Sequence, residues 1–385
     1  MRDLSWPLRL LLVNQLGVNL GFFMLVPYLA THLSGGLGLS AAVVGVVLGV
    51  RNLSQQGLAI VGGAAADRFG ARGLIIAGCG LRSAGFGLFA VAESAPPLLA
   101  AAVLSGLAGA LFTPAVRAYV AAEAADRVRA FALFTVFAQA GALAGPVLGS
   151  VLLLLDFRVV AVVAALVFAA LTAAQALALP ARAVTAGGGP IADRLRAGLR
   201  DRSFLAFAGA ASGMYVLQSQ LYLVLPMEAD RQSGHPAAVA AIFLVSTVAT
   251  LLLQVPLTRL FEGRGAAVPI GLAVMGLGFA PLVVTRPAEP GPAGPVAVLV
   301  ATLALAAGVA IAQPFVLALI PAFAPDGLAG TYFGLFSLVS GVAAAAGNAL
   351  IGWSGAAGPL VCVAVGLLCA LLSTRLSTRW KGTTR

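Results

Sequence analysis

The chain has 385 residues, of which 61% are hydrophobic and only 9% are Asp, Glu, Lys or Arg, and its formal net charge is +10. A soluble globular chain carries about 25% charged residues. This chain has too few to cover its surface in water, so its composition excludes an ordinary soluble domain and implies lipid as the main solvent. The positive charge does not point to nucleic acid, because the basic residues fall in alternate loops between long apolar runs. The three cysteines, Cys79, Cys362 and Cys369, all lie inside apolar runs without metal-ligand spacing, which reads as small core residues and not as a disulfide framework.

Twelve apolar spans are predicted, at 9–33, 40–66, 74–93, 97–121, 131–155, 159–179, 204–227, 237–258, 266–285, 296–318, 330–353 and 357–376. Hydrocarbon offers the backbone no partners, so spans of about 20 residues must be helices. They are too long and too evenly apolar for barrel strands. The first span is long and followed by many equivalents, so it reads as a span and not as a cleaved leader. With the N-terminus placed in the cytoplasm, 18 of the 23 basic residues fall inside or at inner helix ends. Only Arg158, Arg231 and Arg286 fall outside, and Arg51 and Arg82 lie within spans. A missed helix would invert every later loop, so this bias supports an even number of spans with both termini inside.

The second and third spans are joined by Gly62–Ile75, GGAAADRFGARGLI, a short charged turn. Near the middle of the second span stands Arg51, with Gln55 one turn on and on the same face. A cation at that depth costs about 2.5–3.5 kcal/mol on insertion scales, so it should face protein or water. It reads either as a cavity cation that meets an anionic group or as a structural cation bonded to neighbouring helices. Arg82 lies nearer the expected inner face, where it could snorkel or brace the Asp67 turn. In the fifth span Gly141, Gly145, Pro146 and Gly149 make a flat stripe beside a bend. That stripe fits either a rocking helix or ordinary small-residue packing.

The sixth and seventh spans are separated by Pro180–Ser203. The Gly-rich stretch Ala186–Pro190 reads as a flexible break, and Ile191–Arg202 as a short basic helix on the inner leaflet. The organisation is therefore an N-terminal six-helix bundle at 1–180, a cytoplasmic linker at 181–203 and a C-terminal six-helix bundle at 204–385. The turn DRFGAR at 67–72 has a faint counterpart, TRLFEGRG, at 258–265. Two six-helix halves that repeat one another are a transporter architecture.

Polar residues within spans share helical faces: Gln15, Asn19 and Phe22 on the first, and Tyr215, Gln218 and Tyr222 on the seventh. Ser246, Thr250 and Gln254 run along the eighth, while Gln139, Gln313 and Asn348 are isolated. These sets read either as cavity contacts or as interhelical hydrogen bonds. No Asp or Glu lies in the middle of a span; Asp67, Glu123 and Glu262 are at inner ends, and Glu93, Asp156 and Glu228 at outer ends. His32 and His235 fall in outer loops. There is no G-x-x-x-x-G-K-[ST] loop, so the chain does not hydrolyse ATP itself. No metal set or catalytic triad is present either, so neither an enzyme nor a cofactor is expected.

These residues resemble the major facilitator superfamily. The loop after the second helix of that family reads roughly G-x-L-a-D-R-x-G-R-K, and Gly63, Asp67, Arg68, Gly70 and Arg72 fit it, with Ala65 and Ala71 replacing the usual Leu and first Arg. Gly141, Gly145, Pro146 and Gly149 resemble the antiporter signature of the fifth helix, with Ser150 in place of a second Gly. The stretches GFF at 21–23, QQG at 55–57, ADRFGA at 66–71, AGF at 84–86, SGL at 105–107 and DFR at 156–158 resemble the bacterial MdtH-type multidrug-resistance branch. The family's usual Arg in the fourth helix is missing; Ser105 sits near its place.

The resemblance implies an all-α integral membrane protein of the major facilitator fold, with twelve helices in two pseudo-symmetric bundles. It implies a secondary transporter that exports amphipathic drugs or small metabolites by alternating access, with proton antiport. The alternative is carriage of an anionic or lipid-like solute recognised through Arg51. Gly63, Asp67, Arg68, Gly70 and Arg72 would latch the cytoplasmic ends of the halves; the competing reading is a solvated turn that only sets topology. The first and seventh helices would face the cavity, which makes Gln15, Asn19, Phe22, Tyr215, Gln218 and Tyr222 substrate contacts beside Arg51 and Gln55. With no acid in the middle of a span, Asp67 and Glu228 are the fallback proton carriers. The expected partners are a small-molecule substrate, protons and membrane lipids, without nucleic acid. The expected state is a monomer in the inner (plasma) membrane.

Overall fold

The computed structural model describes residues 4–181, 191–233, 236–285 and 293–380. The Gly-rich break expected at Ala186–Pro190, together with His235 and Arg286, lies outside the described residues. Sixteen α-helices are present among the described residues: α1 Trp6–Thr31, α2 Ala41–Gly57, α3 Ala59–Phe69, α4 Ala71–Val91, α5 Ala95–Glu123, α6 Arg127–Leu153, α7 Phe157–Ala178, α8 Ile191–Arg200, α9 Arg202–Gln218, α10 Val224–Ser233, α11 Pro236–Phe261, α12 Ala267–Leu277, α13 Ala280–Thr285, α14 Ala293–Phe323, α15 Ala329–Trp353 and α16 Gly358–Trp380. No strand occurs among the described residues.

The distribution of side chains inverts that of a soluble protein. Large apolar residues stand on the outside, among them Leu154 at 85% exposure and Leu177 at 89%. Buried positions include Asn14, Gln175, Gln220, Gln254 and three arginines. Apolar exteriors of this extent need lipid around them, and the buried amides then find partners on neighbouring helices.

Ten helices among the described residues are long and apolar enough to cross a membrane, or eleven when α2 and α3 are taken as one span bent by 45°. The bend falls at Gly57–Leu58, inside the predicted second span. The predicted seventh span is the one that fails the length test, because α9 stops after 17 residues. A single tight turn, Ser219–Leu221, follows it before α10 begins.

That break supplies its own hydrogen bonds. The Ser219 hydroxyl lies 2.7 Å from both the Val216 carbonyl and Asn348 Oδ1, and these two acceptors share its one proton. Gln220, fully buried, donates from Nε2 to the same carbonyl at 2.7 Å and to Asn348 Oδ1 at 2.8 Å. Irregular backbone within hydrocarbon survives only where protein groups satisfy it.

By contact the chain forms two compact units. The first comprises Met1–Ala125, Phe137–Arg200 and Ala324–Leu338; the second comprises Asp126–Val136, Asp201–Phe323 and Val339–Arg385. In the first, α4 packs most extensively on α5 and α7. In the second, α12 packs most extensively on α14 and α16. These are the third span against the fourth and sixth, and the ninth against the tenth and twelfth. The same packing arises from both halves of the sequence, as an internal repeat requires.

Replacing Asn348 by Leu removes one of the two acceptors that the Ser219 and Gln220 donors share and leaves them the Val216 carbonyl. A net hydrogen bond contributes about 0.5–1.5 kcal/mol, so unfolding of the purified chain in detergent is expected to shift to lower temperature, and Ser219→Ala alone to shift it less. Equal midpoints for Asn348→Leu and the parent would show that Asn348 does not hold the break together.

Candidate functional site

The charged turn between α3 and α4 is made by Gly70, whose φ of +90° only glycine adopts without strain. Asp67 lies one turn before it, on α3. Its carboxylate accepts three short hydrogen bonds: Oδ1 from the Gly330 amide at 2.7 Å, and Oδ2 from the Thr331 amide at 2.6 Å and the Thr331 hydroxyl at 2.6 Å. Gly330 and Thr331 open α15. The first helical amides have no partner within their own helix, and the positive end of the helix dipole attracts an anion. Asp67 thus caps a helix more than 260 residues away in sequence.

Close approach of the two backbones makes the cap reachable. A Cβ on Gly63 would stand 2.0 Å from the Gly330 carbonyl oxygen, and one on Gly330 would stand 2.5 Å from the Gly63 carbonyl oxygen. Small residues at a crossing let helices touch main chain to main chain. The same crossing draws in α8. Arg194, buried, donates from Nη1 to the Gly327 carbonyl at 3.3 Å, and Gly198 faces Leu335. The described helix α8 therefore turns a buried face toward protein.

The other motif residues point elsewhere. Arg72 donates from Nε to the Leu179 carbonyl at 2.7 Å and from Nη2 to the Ala176 carbonyl at 2.6 Å. It closes the C-terminal end of α7, where a cation meets the negative end of the dipole. Arg68 is exposed, with its guanidinium 5.3 Å from the centre of the Phe69 ring. A cleft of about 570 Å³ lies beside the cap, lined in part by Asp67, Gly70, Arg72, Tyr119, Gly327 and Ala329.

The glycine stripe of α6 lies on α1. Cβ atoms at Gly141, Gly145 and Gly149 would stand 2.3, 2.8 and 2.3 Å from the carbonyl oxygens of Leu16, Leu20 and Met24 respectively. Tyr28 donates to the Pro146 carbonyl at 2.8 Å, the acceptor supplied by the helix where proline sits. On the same α1 segment Asn19 donates from Nδ2 to the Gln15 carbonyl at 2.9 Å.

Phe22, also on α1, faces two cations. The Arg51 guanidinium carbon is 5.2 Å from its ring centre and that of Arg82 is 5.5 Å. Arg82 therefore lies inside, at 6% exposure, and does not reach outward. Gln55 and Arg82 meet at Gly109, where a Cβ would stand 2.8 Å from Gln55 Cδ and 2.7 Å from Arg82 Nη2.

In the second unit Tyr215 and Gln218 are half-buried on α9, while Tyr222 lies past the break and is 66% exposed. The helical spacing that put 222 on the face of 215 and 218 ends at Gln218. Glu228 is buried on α10 and accepts from Arg231 Nε at 2.8 Å and Nη2 at 2.5 Å, with Gln232 at 3.3 Å.

Sequence reasoning did not find the acceptor Asn348 or the donors Ser219 and Gln220 as a set. It also missed a buried cluster in which Gln175 donates to Asn14 Oδ1 and, at 3.4 Å, to Cys79 Sγ. Amides on separate spans carry no spacing signal that would pair them. Among the described residues no group of three or more His, Cys, Asp or Glu side chains could hold a metal ion.

Residues 11–348 match the sequence profile of the Major Facilitator Superfamily. The chain is 44% identical over 364 residues to an uncharacterised MFS-type transporter of Mycobacterium tuberculosis, covering 91% of this chain and 86% of that one. It is 39% identical over 277 residues to the multidrug resistance protein MdtH of Cronobacter sakazakii, covering 71% and 69%. In three dimensions it is similar to the human organic anion transporter MFSD10, with a TM-score of 0.76, 20% identity and coverage of 96% and 98%.

Replacing Asp67 by Ala removes the acceptor for three donors at the start of α15. Loss of a helix cap costs about 0.5–2 kcal/mol, and hydrogen bonds to a charged acceptor put this one toward the upper end. With Cys introduced at Ala329, thiol labelling in membranes is expected to quicken several-fold when Asp67→Ala is added. An unchanged labelling rate would mean that the carboxylate does not hold this end of α15.

Proposed function

The chain belongs to the Major Facilitator Superfamily, and on that premise we propose that it is a secondary exporter of amphipathic drugs or small metabolites, working by alternating access. The membership makes it a multi-pass membrane transporter that moves a small-molecule substrate and not an enzyme. Export as the direction, and drugs as the cargo, follow the 39% identity to a multidrug resistance protein.

The Asp67 cap is the observation that carries the mechanism. It is a carboxylate held by three short hydrogen bonds to a helix from the opposite half of the sequence. In this proposal the cap forms in one state of the cycle and breaks in the other, so Asp67, with Gly63 allowing the approach and Gly70 the turn, acts as a two-position latch. Arg72 holds the α7 end in both states, and Arg68 reads the membrane surface. The stripe Gly141, Gly145 and Gly149 with Pro146 lets α6 slide against α1. Substrate binds differently in the two states and so shifts their populations.

Protons are the proposed counter-ion. Asp67, freed when the cap opens, and Glu228, released from Arg231, are the carboxylates that can take one up. Gln15, Asn19, Phe22, Tyr215 and Gln218 supply apolar area with few obligatory hydrogen bonds, which suits bulky amphipathic cargo. The proposed setting is the inner membrane, with both termini cytoplasmic and the protein monomeric among lipids. A second reading, an anionic or lipid-like solute met by Arg51, is favoured by the burial of that cation without an acidic partner among the described residues.

Expression in an efflux-deficient bacterial host tests the export reading. The inhibitory concentration of at least one amphipathic compound is expected to rise, and Asp67→Asn to remove the rise while the protein still reaches the membrane. A broad panel in which no compound shifts would sink it.

A further inference from the structure

The interior of the first unit holds two cations that the handling of neutral amphipaths does not use. Arg51 on α2 is 8% exposed and Arg82 on α4 is 6% exposed. Both guanidiniums sit over the one ring of Phe22, and Arg82 also lies 5.5 Å from the ring centre of Phe168 on α7. Among the described residues neither has a carboxylate partner. Arg51 gives one hydrogen bond, from Nη2 to the neutral Asn52 Oδ1 at 2.8 Å. Its Nε and Nη1, and Nε of Arg82, are buried without an acceptor. The hydroxyl of Ser105 on α5, fully buried, also lacks a partner.

Such an arrangement is costly as it stands. Two like charges in a low-dielectric interior repel, and a buried cation without a counter-charge is strongly unfavourable. Ring faces offset part of this by cation–π attraction. They cannot satisfy the in-plane N–H donors, which need a lone pair in the guanidinium plane. A structural arginine would be expected to end on carbonyls or a carboxylate, as Arg72 does. What Arg51 and Arg82 lack is an acceptor carrying negative charge at their edges, while Phe22 and Phe168 offer apolar area beside it.

We propose that Arg51 and Arg82 together form a binding site for the anionic group of an organic anion, a carboxylate or sulfonate on an apolar or aromatic body, and that Phe22 contacts that body. The site rests on the reading of the chain as a transporter and names a charged class of cargo within it. Arg51 and Arg82 contact the anionic group; Gln55, which borders Arg82 at Gly109, positions it.

The purified full chain in detergent tests this by calorimetric titration with 1-naphthoate, 1-naphthalenesulfonate and the uncharged 1-naphthamide, with chloride and phosphate alone as separate arms. The two anions are expected to bind at least about tenfold more tightly than the amide, as charge-assisted contacts predict. Arg51→Gln and Arg82→Gln are each expected to erase that preference, and Arg82→Lys to keep part of it. If the glutamine variants do not fold, the wild-type comparison of acid with amide still decides. Equal binding of acid and amide, no binding of either, or a preference that survives both substitutions would overturn the proposal. So would chloride or phosphate binding as tightly as naphthoate, which would make this a resident inorganic-ion site. Binding in detergent needs neither gradient nor movement. Failure here removes the anion site and leaves the growth panel to judge export, whereas a chain that binds naphthoate but protects against no compound keeps the site and loses drug export.

Discussion

The constraint on which the structure depends is that hydrocarbon supplies no hydrogen bonds. Every regular span is a helix because a helix meets its own needs. Every irregularity must bring partners with it. The break after α9 brings Ser219, Gln220 and Asn348. Tyr28 also donates across to the Pro146 carbonyl of α6. Arg72 and Tyr119 take up the carbonyls of Leu179 and Pro180 where α7 ends.

Asp67 and the arginine pair show two opposite treatments of charge. The carboxylate sits at a helix end among donors and is fully used. The two guanidiniums sit within the helices, stacked on aromatic faces, with donors left over. The first is a complete contact between distant parts of the chain. The second is an incomplete one that an outside group can complete. In the proposed cycle the first distinguishes the states and the second holds the cargo.

Much of this was legible in the sequence. The spans, the turn at Gly70 and the close approach expected of Gly63 all follow from apolar length and residue size. The stripe at Gly141, Gly145 and Gly149 was readable as a contact face, although nothing in it named α1 as the partner. The donors to Asp67 were not legible, because two of them are main-chain amides and leave no side-chain signature. The face shared by Tyr215, Gln218 and Tyr222 assumed an unbroken helix, whereas α9 ends at Gln218 and a tight turn separates it from Tyr222. Arg82 looked like a residue near a membrane surface; its distance from Phe22 is a property of packing between spans and not of position along one.

The make-up of the Asp67 cap fixes where it is vulnerable to mutation. Two of its three donors are peptide amides, so no side-chain change at Gly330 or Thr331 short of proline deletes them. A Cβ at Gly330 would instead collide with the Gly63 carbonyl and with Asp67 itself. The acceptor half therefore rests on one carboxylate that drift can erase in a single step, while the donor half tolerates changes of chemistry but not of bulk. The contact itself demands an acid at position 67 and no side chain at position 330.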